Sequence, residues 1–160
     1  MNVAIPAIQW TVIGPELVLI GTAIGLMLLV VLVKKAASRL TPTLTLAGAT
    51  GAMALCFSLW GKSATSFHDM VVLDHYALFF KILFLMTTVL TALMSIRYLK
   101  REEFEQGEYY ILLLFATVGM MLMASAADLI IIFLGLETFS LSVYVLVGFS
   151  AARPSPTSPP

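Results

Sequence analysis
The chain has 160 residues, of which 60% are hydrophobic and only 11% charged. A soluble domain carries ~45–50% apolar and ~25% charged residues, so this composition belongs to an integral membrane protein whose first partner is the lipid bilayer. The formal net charge is zero, which gives no basic signal for nucleic acid, and a single cysteine, Cys56, excludes a disulfide framework or an iron–sulfur cluster built from this chain alone.

Met1 to Gly14 holds no Lys or Arg, whereas Lys34, Lys35 and Arg39 follow the first apolar stretch. A cleavable signal has the reverse order, so the first helix reads as a retained span. Five helices are predicted in turn: about Ile13–Val33, Pro42–Trp60, Tyr76–Ile96, Tyr109–Ser125 and Asp128–Phe149. Each is near the ~20 residues that cross a bilayer. Pro15 and Glu16 fall in the first turn of the first helix, where Pro is tolerated and an acid meets the positive end of the helix dipole. Glu16 needs no further role on that reading. Pro42 opens the second helix, and Gly48 and Gly51 offer close-packing positions. Asp74 and Asp128 are N-cap candidates for the third and fifth helices. The short Ser125–Asp128 connection makes the fourth and fifth helices an antiparallel hairpin, with Gly119 and Gly135 as points of close approach.

Lys34, Lys35, Arg39, Arg97, Lys100, Arg101 and Arg153 fall on one side of this arrangement, and only Lys62 on the other. Lys and Arg mark the cytoplasmic side, so the N-terminus is expected outside and the C-terminus inside. Trp10 and Trp60 then lie at the outer interface. His68 and His75, with Asp69 and Asp74, read as a solvated outer loop rather than a metal site. Glu102, Glu103, Glu105 and Glu108 read as a solvated inner loop. Residues 1–149 form the membrane domain. Residues 150–160 contain four prolines in a Pro/Ser-rich run, read as a disordered tail that makes the chain look cut short.

Glu137 carries the most information. At ~1.5 Å rise per residue it lies roughly 14 Å below the Asp128 end of its helix, near the middle of a ~30 Å hydrocarbon core. A charge at that depth costs at least ~2.5 kcal/mol, and low dielectric favours the neutral acid. A carboxyl able to adopt either state there suits proton transfer; the plain alternative is a neutral Glu hydrogen-bonded to a neighbouring helix. Glu137, Ser140 and Tyr144 stand at i, i+3 and i+7, on one helical face, with Gly148 continuing it. That stripe is expected to face protein, leaving Ile131, Leu134 and Val145 freer to face lipid. Tyr144 is a candidate for a proton path, and Ser140 reads as a packing hydrogen bond. Lys81, inside the third span, either snorkels to the outer interface or acts as a charge partner of Glu137.

The blocks Gly107-Glu-Tyr-Tyr-Ile-Leu-Leu-Leu-Phe-Ala and Phe133-Leu-Gly-Leu-Glu137-Thr-Phe-Ser-Leu-Ser-Val-Tyr144, with Pro15-Glu16-Leu and Asp74 before Tyr76-Ala-Leu-Phe-Phe-Lys81, carry a resemblance. Over about residues 10–149 the chain resembles subunit N of the bacterial proton-pumping NADH-quinone oxidoreductase, a relative of mitochondrial subunit 2. The resemblance implies an all-α integral membrane fold of the antiporter-like type, with about five transmembrane helices forming the first of two inverted repeats, incomplete here. It implies that Glu137 is the glutamate that pairs, in that family, with a lysine on a seventh helix during proton translocation. That lysine has no counterpart in this sequence, so a truncated or frameshifted product is expected.

The same resemblance implies a translocase subunit in a bacterial inner membrane, bound to other membrane-arm subunits. No cofactor is expected in this chain; the parent complex uses NAD, FMN, iron–sulfur clusters and quinone. A cation/proton antiporter subunit and a membrane-bound hydrogenase subunit of the same superfamily are the nearest alternatives. A small drug/proton exchanger is disfavoured because its glutamate lies inside its first helix. A purely structural membrane protein predicts that losing the Glu137 charge is silent.

Overall fold
The structure, a computed structural model, describes residues 9–32, 34–101 and 106–151. It contains α1 (Gly14–Leu32), α2 (Lys34–Ser58), β1 (Ala64–Ser66), β2 (Val71–Leu73), α3 (His75–Arg101), α4 (Gln106–Ala124) and α5 (Leu129–Ala151). All five helices are long and apolar enough to cross a membrane. The chain is a multi-pass, all-α membrane protein with a small extramembrane β element.

The expected spans are all present. The second differs most at its start, because α2 already runs from Lys34 and carries Pro42 inside it. Pro removes one backbone donor, but the apolar stretch Leu40–Ser58 still supplies the span. The proposed 150–160 tail falls outside the described residues beyond Ala151, as do Glu102, Glu103 and Glu105.

Helices α1 to α4 close into a four-membered bundle in chain order, with α4 also touching α2 across the middle. Its core joins Leu19, Leu26, Cys56, Leu78, Leu85 and Met121 from all four helices. Helix α5 packs chiefly on α4 and lies outside this ring. Only 11% of its span is buried, against 28–44% for the other four. The contact is close because it is built on glycine. A Cβ on Gly119 would stand 2.7 Å from the Gly135 carbonyl oxygen and from Phe139 N, so neither helix could hold its place with a larger residue there. At the α1–α2 crossing a Cβ on Gly48 would meet the Thr22 side chain rather than backbone, whereas one on Gly51 would meet nothing within 4 Å.

The α2–α3 loop is more ordered than the sequence suggests. Strands β1 and β2 pair antiparallel, with Thr65 opposite Val72. Phe67, His68 and Asp69 turn the chain in the left-handed region, at φ 54, 56 and 64°. The free edge of β2 is taken by the α4–α5 turn: Val72 N donates to Ser125 O at 2.8 Å, and Ala127 N to Met70 O at 2.8 Å. Gln9 N donates to Ser66 Oγ at 3.2 Å, joining the segment before α1 to the same assembly. Asp74 Oδ1 accepts from Ala77 N and Asp128 Oδ1 from Ile130 N, both at 2.7 Å, so each caps its helix as expected.

Candidate functional site: charges inside the spans
Lys81 neither snorkels nor meets Glu137. Its Nζ lies 2.7 Å from Glu16 Oε1, and the two side chains are 0% and 2% exposed. Snorkelling fails because Lys81 stands on the face of α3 that holds Leu78 and Leu85, both fully buried in the bundle. Helix α1 brings Glu16 to it from its first turn. The ammonium also donates to Val12 O at 3.3 Å, just ahead of α1. Neither Glu16 oxygen has a hydrogen bond beyond the ion-pair contact. Glu16 is therefore far more than a dipole partner at a helix end. Sequence reasoning missed it because a first-turn acid is already explained locally; the available signal was a lysine inside an apolar helix that lacked an acid on its own helix.

From Lys81 a polar seam continues along α3. Thr88 and Ser95 follow at successive spacings of seven residues, on nearly the same helical face. Each finds a partner on α4: the Thr88 and Thr117 hydroxyls share a hydrogen bond of 2.6 Å, and those of Ser95 and Tyr109 one of 2.7 Å. Buried Leu85 and Ala92 separate these ~10 Å steps, so the seam is a set of discrete interhelical bonds rather than a continuous wire.

Glu137 is placed quite differently. Helix α5 lays Gly135 and Ser142 against α4, and Glu137 is about 200° round from Gly135 at ~100° per residue. Its side chain is exposed on the outer face of α5, and among the described residues its carboxyl has no hydrogen-bond or ion-pair partner. Tyr144 is 71% exposed on that side and Ser140 is half-buried. These five helices thus do not cover the polar stripe that was expected to face protein. Ile131, expected toward lipid, is half-buried against the core, while Leu134 and Val145 are 51% and 45% exposed. Cys56 is buried and free on α2. Among the described residues no three His, Cys, Asp or Glu groups converge as a metal set, His68 and His75 included.

Five apolar helices with a buried ion pair and an unpartnered carboxyl at mid-span define a polytopic membrane protein with charges held inside its spans. No protein-family model matches the chain. It is 47% identical, over 89% of its length, to NADH-quinone oxidoreductase subunit N of Trichlorobacter lovleyi, covering 29% of that protein. It is 42% identical, over 95% of its length, to subunit N 2 of the same enzyme from Roseiflexus castenholzii, covering 30% of it. In structure it is similar to a chain of respiratory complex I from Thermus thermophilus, determined with bound aureothin. The TM-score is 0.70 at 26% identity, covering 82% of this chain and 28% of that one. The chain is a relative of subunit N of NADH-quinone oxidoreductases, and it spans just under a third of the length of the curated relatives it matches.

Proposed function
We propose that the chain is part of a membrane-arm subunit of a proton-translocating NADH-quinone oxidoreductase in a bacterial inner membrane. In this role it contributes Glu137 as a carboxyl that takes up and releases protons. The observation that carries the reading is the position of Glu137. It stands at mid-span, unpartnered within the chain, in a protein whose relatives are named as subunits of that enzyme. An ionised carboxylate left against lipid is costly, so the outer face of α5 is the face that other protein of the membrane arm must cover. Tyr144, two turns along the same face, extends the polar stripe. This chain offers neither a dinucleotide motif nor cluster ligands, so NAD and iron–sulfur chemistry is assigned outside it.

The test is Glu137→Gln in the complete subunit within the complex. Protons pumped per electron are expected to fall, with Glu137→Asp retaining part of the activity, because Gln keeps the shape but exchanges no proton. Unchanged pumping in Glu137→Gln removes the role. The 160-residue chain alone in liposomes is expected to conduct no protons above the lipid leak, since Lys81 is committed to Glu16.

The orientation belongs to the same proposal, with the hairpin side outside. Ser66 is buried, so the label goes at exposed Ser63. In a Cys56→Ala background, an impermeant thiol reagent added outside should reach Ser63→Cys and miss Ser38→Cys. The opposite pattern reverses the topology.

A further inference from the structure
Helix α5 is the least anchored of the five, with only 11% of its span buried. Its closest contact with α4 is backbone against backbone. A Cβ on Gly119 would stand 2.7 Å from Gly135 O, and one on Gly135 2.8 Å from Gly119 O. Among the described residues no side-chain hydrogen bond crosses that contact; the Thr138 and Ser142 hydroxyls donate within α5, to Leu134 O and Thr138 O. Toward α1 lies an apolar void of about 220 Å³, lined by Leu17 on one helix and Leu134 on the other. Helices gain axial register where side-chain ridges interlock. A glycine contact sets how near two helices lie, more than how far one slides along the other.

The start of α5 is held differently. Val72 N donates to Ser125 O and Ala127 N to Met70 O, which makes Val71 and Ala126 an antiparallel bridge. The hairpin is itself fixed to the bundle. Gln9 N donates to Ser66 Oγ ahead of α1, and buried Leu73 runs straight into Asp74, the cap of α3. Only Ala127 and Asp128 separate the bridge from Leu129, the first residue of α5, and Asp128 caps the helix. The connection therefore has little slack. Glu137 follows Ala127 by ten residues, or ~15 Å of helix, which is half of a ~30 Å hydrocarbon core. A slip of one residue would move the carboxyl ~1.5 Å and swing it ~100° round the axis.

We propose that the clasp between β2 and the α4–α5 turn is the positioning element for Glu137. Val72 and Ala127, through their backbone donors, stop α5 at one height and rotation, and so set the depth at which the carboxyl exchanges its proton. This rests on the reading of Glu137 as a proton-exchanging group. The two strands offer a matched pair of sites to test it. Val72 donates away from β1, so Thr65–Val72 is a pair without mutual hydrogen bonds, and the Thr65 N–H points to the opposite, free edge. Proline at 72 removes a clasp bond and spares the β1–β2 ladder. Proline at 65 burdens the same hairpin and leaves the clasp whole.

Depth is read first, on the whole chain in lipid nanodiscs with Cys56→Ala. A nitroxide goes on Phe133→Cys, an exposed position one turn before Glu137. Its collision rates with oxygen and with a water-soluble nickel chelate report its depth. Val72→Pro should change the ratio of the two rates several-fold, and Thr65→Pro should leave it at the parent value. Ala127→Pro removes the other clasp bond from outside the hairpin and should act as Val72→Pro does, which keeps the test open where the strand variant fails to fold. A disulfide between Val71→Cys and Ala126→Cys, formed before labelling, should restore the parent ratio. The same variants are then placed in the complete subunit within the complex. With electron transfer intact, the pH profile of protons pumped per electron should shift in Val72→Pro, upward where the label has sunk and downward where it has risen, because hydrocarbon favours the neutral acid. An unmoved label in both clasp variants, an equal movement in Thr65→Pro, or a moved label with an unchanged pH profile overturns the proposal. A silent Glu137→Gln withdraws the role of that carboxyl, whereas the label depth decides by itself whether the clasp holds α5.

Discussion

The interior of the α1–α4 bundle and the outer face of α5 handle the same problem in opposite ways. Each holds an acid within a membrane span. In the bundle, Glu16 is matched by Lys81 from another helix of this chain, and both are sealed from solvent. On α5, Glu137 stands exposed on a helix that buries only 11% of its span. The first acid belongs to the internal structure of this chain. The second belongs to a surface that the described residues leave open. The contrast separates residues whose loss should damage folding from one whose loss should damage only function.

The strongest way to break that distinction is Lys81→Met. Leaving Glu16 unpaired in the core should cost about 3–5 kcal/mol, and the double variant Glu16→Gln/Lys81→Met should recover most of it. Reversible unfolding in mixed micelles measures both; a loss below ~1 kcal/mol in the single variant would mean that water already reaches the pair. Next in size is Gly119→Leu. Its side chain would be driven into the α5 backbone, at a cost of about 1–3 kcal/mol or a displaced α5. Cross-linking between cysteines placed on α4 and α5 should drop in parallel, and unchanged cross-linking would show that α5 docks elsewhere. Thr88→Val removes one interhelical bond and should cost only about 0.6 kcal/mol in the same unfolding assay. Smallest is Glu137→Gln in this chain, which should leave the unfolding midpoint unchanged because no described group is lost from its carboxyl. A shift as large as that of Lys81→Met would place Glu137 inside the structure and erase the contrast.

What could be read from sequence follows the range of the forces involved. The five spans were legible because twenty apolar residues register as one block, and the caps Asp74 and Asp128 because capping acts across three residues. The Gly119–Gly135 approach was legible because a short turn forces α4 against α5. The hairpin was not: Ala64–Ser66 and Val71–Leu73 are three residues each, too short for an alternating pattern, and much of their pairing comes from the distant Ser125–Ala127 turn. The Glu16–Lys81 pair also escaped, since no local pattern joins the first turn of α1 to α3. One signal was overlooked: Lys81, Thr88 and Ser95 recur every seventh residue, marking the polar seam of α3 before any partner is known. The depth of Glu137 was plain from counting along its helix, whereas the direction it faces depends on how α5 docks.

The seat of the α4–α5 turn on β2 has a consequence for biogenesis. As the chain is made from its N-terminus, the hairpin emerges while α4 and α5 are still unsynthesised, so Val72 N waits with the Ser125 carbonyl absent. Until then β2 presents an unpaired edge at the membrane surface, open to any passing strand. The clasp can close only after α4 and the turn that follows it have been made. A nascent chain arrested before Ser125 should therefore expose its hairpin to protease, and one long enough to bring the Ser125–Ala127 turn to β2 should protect it.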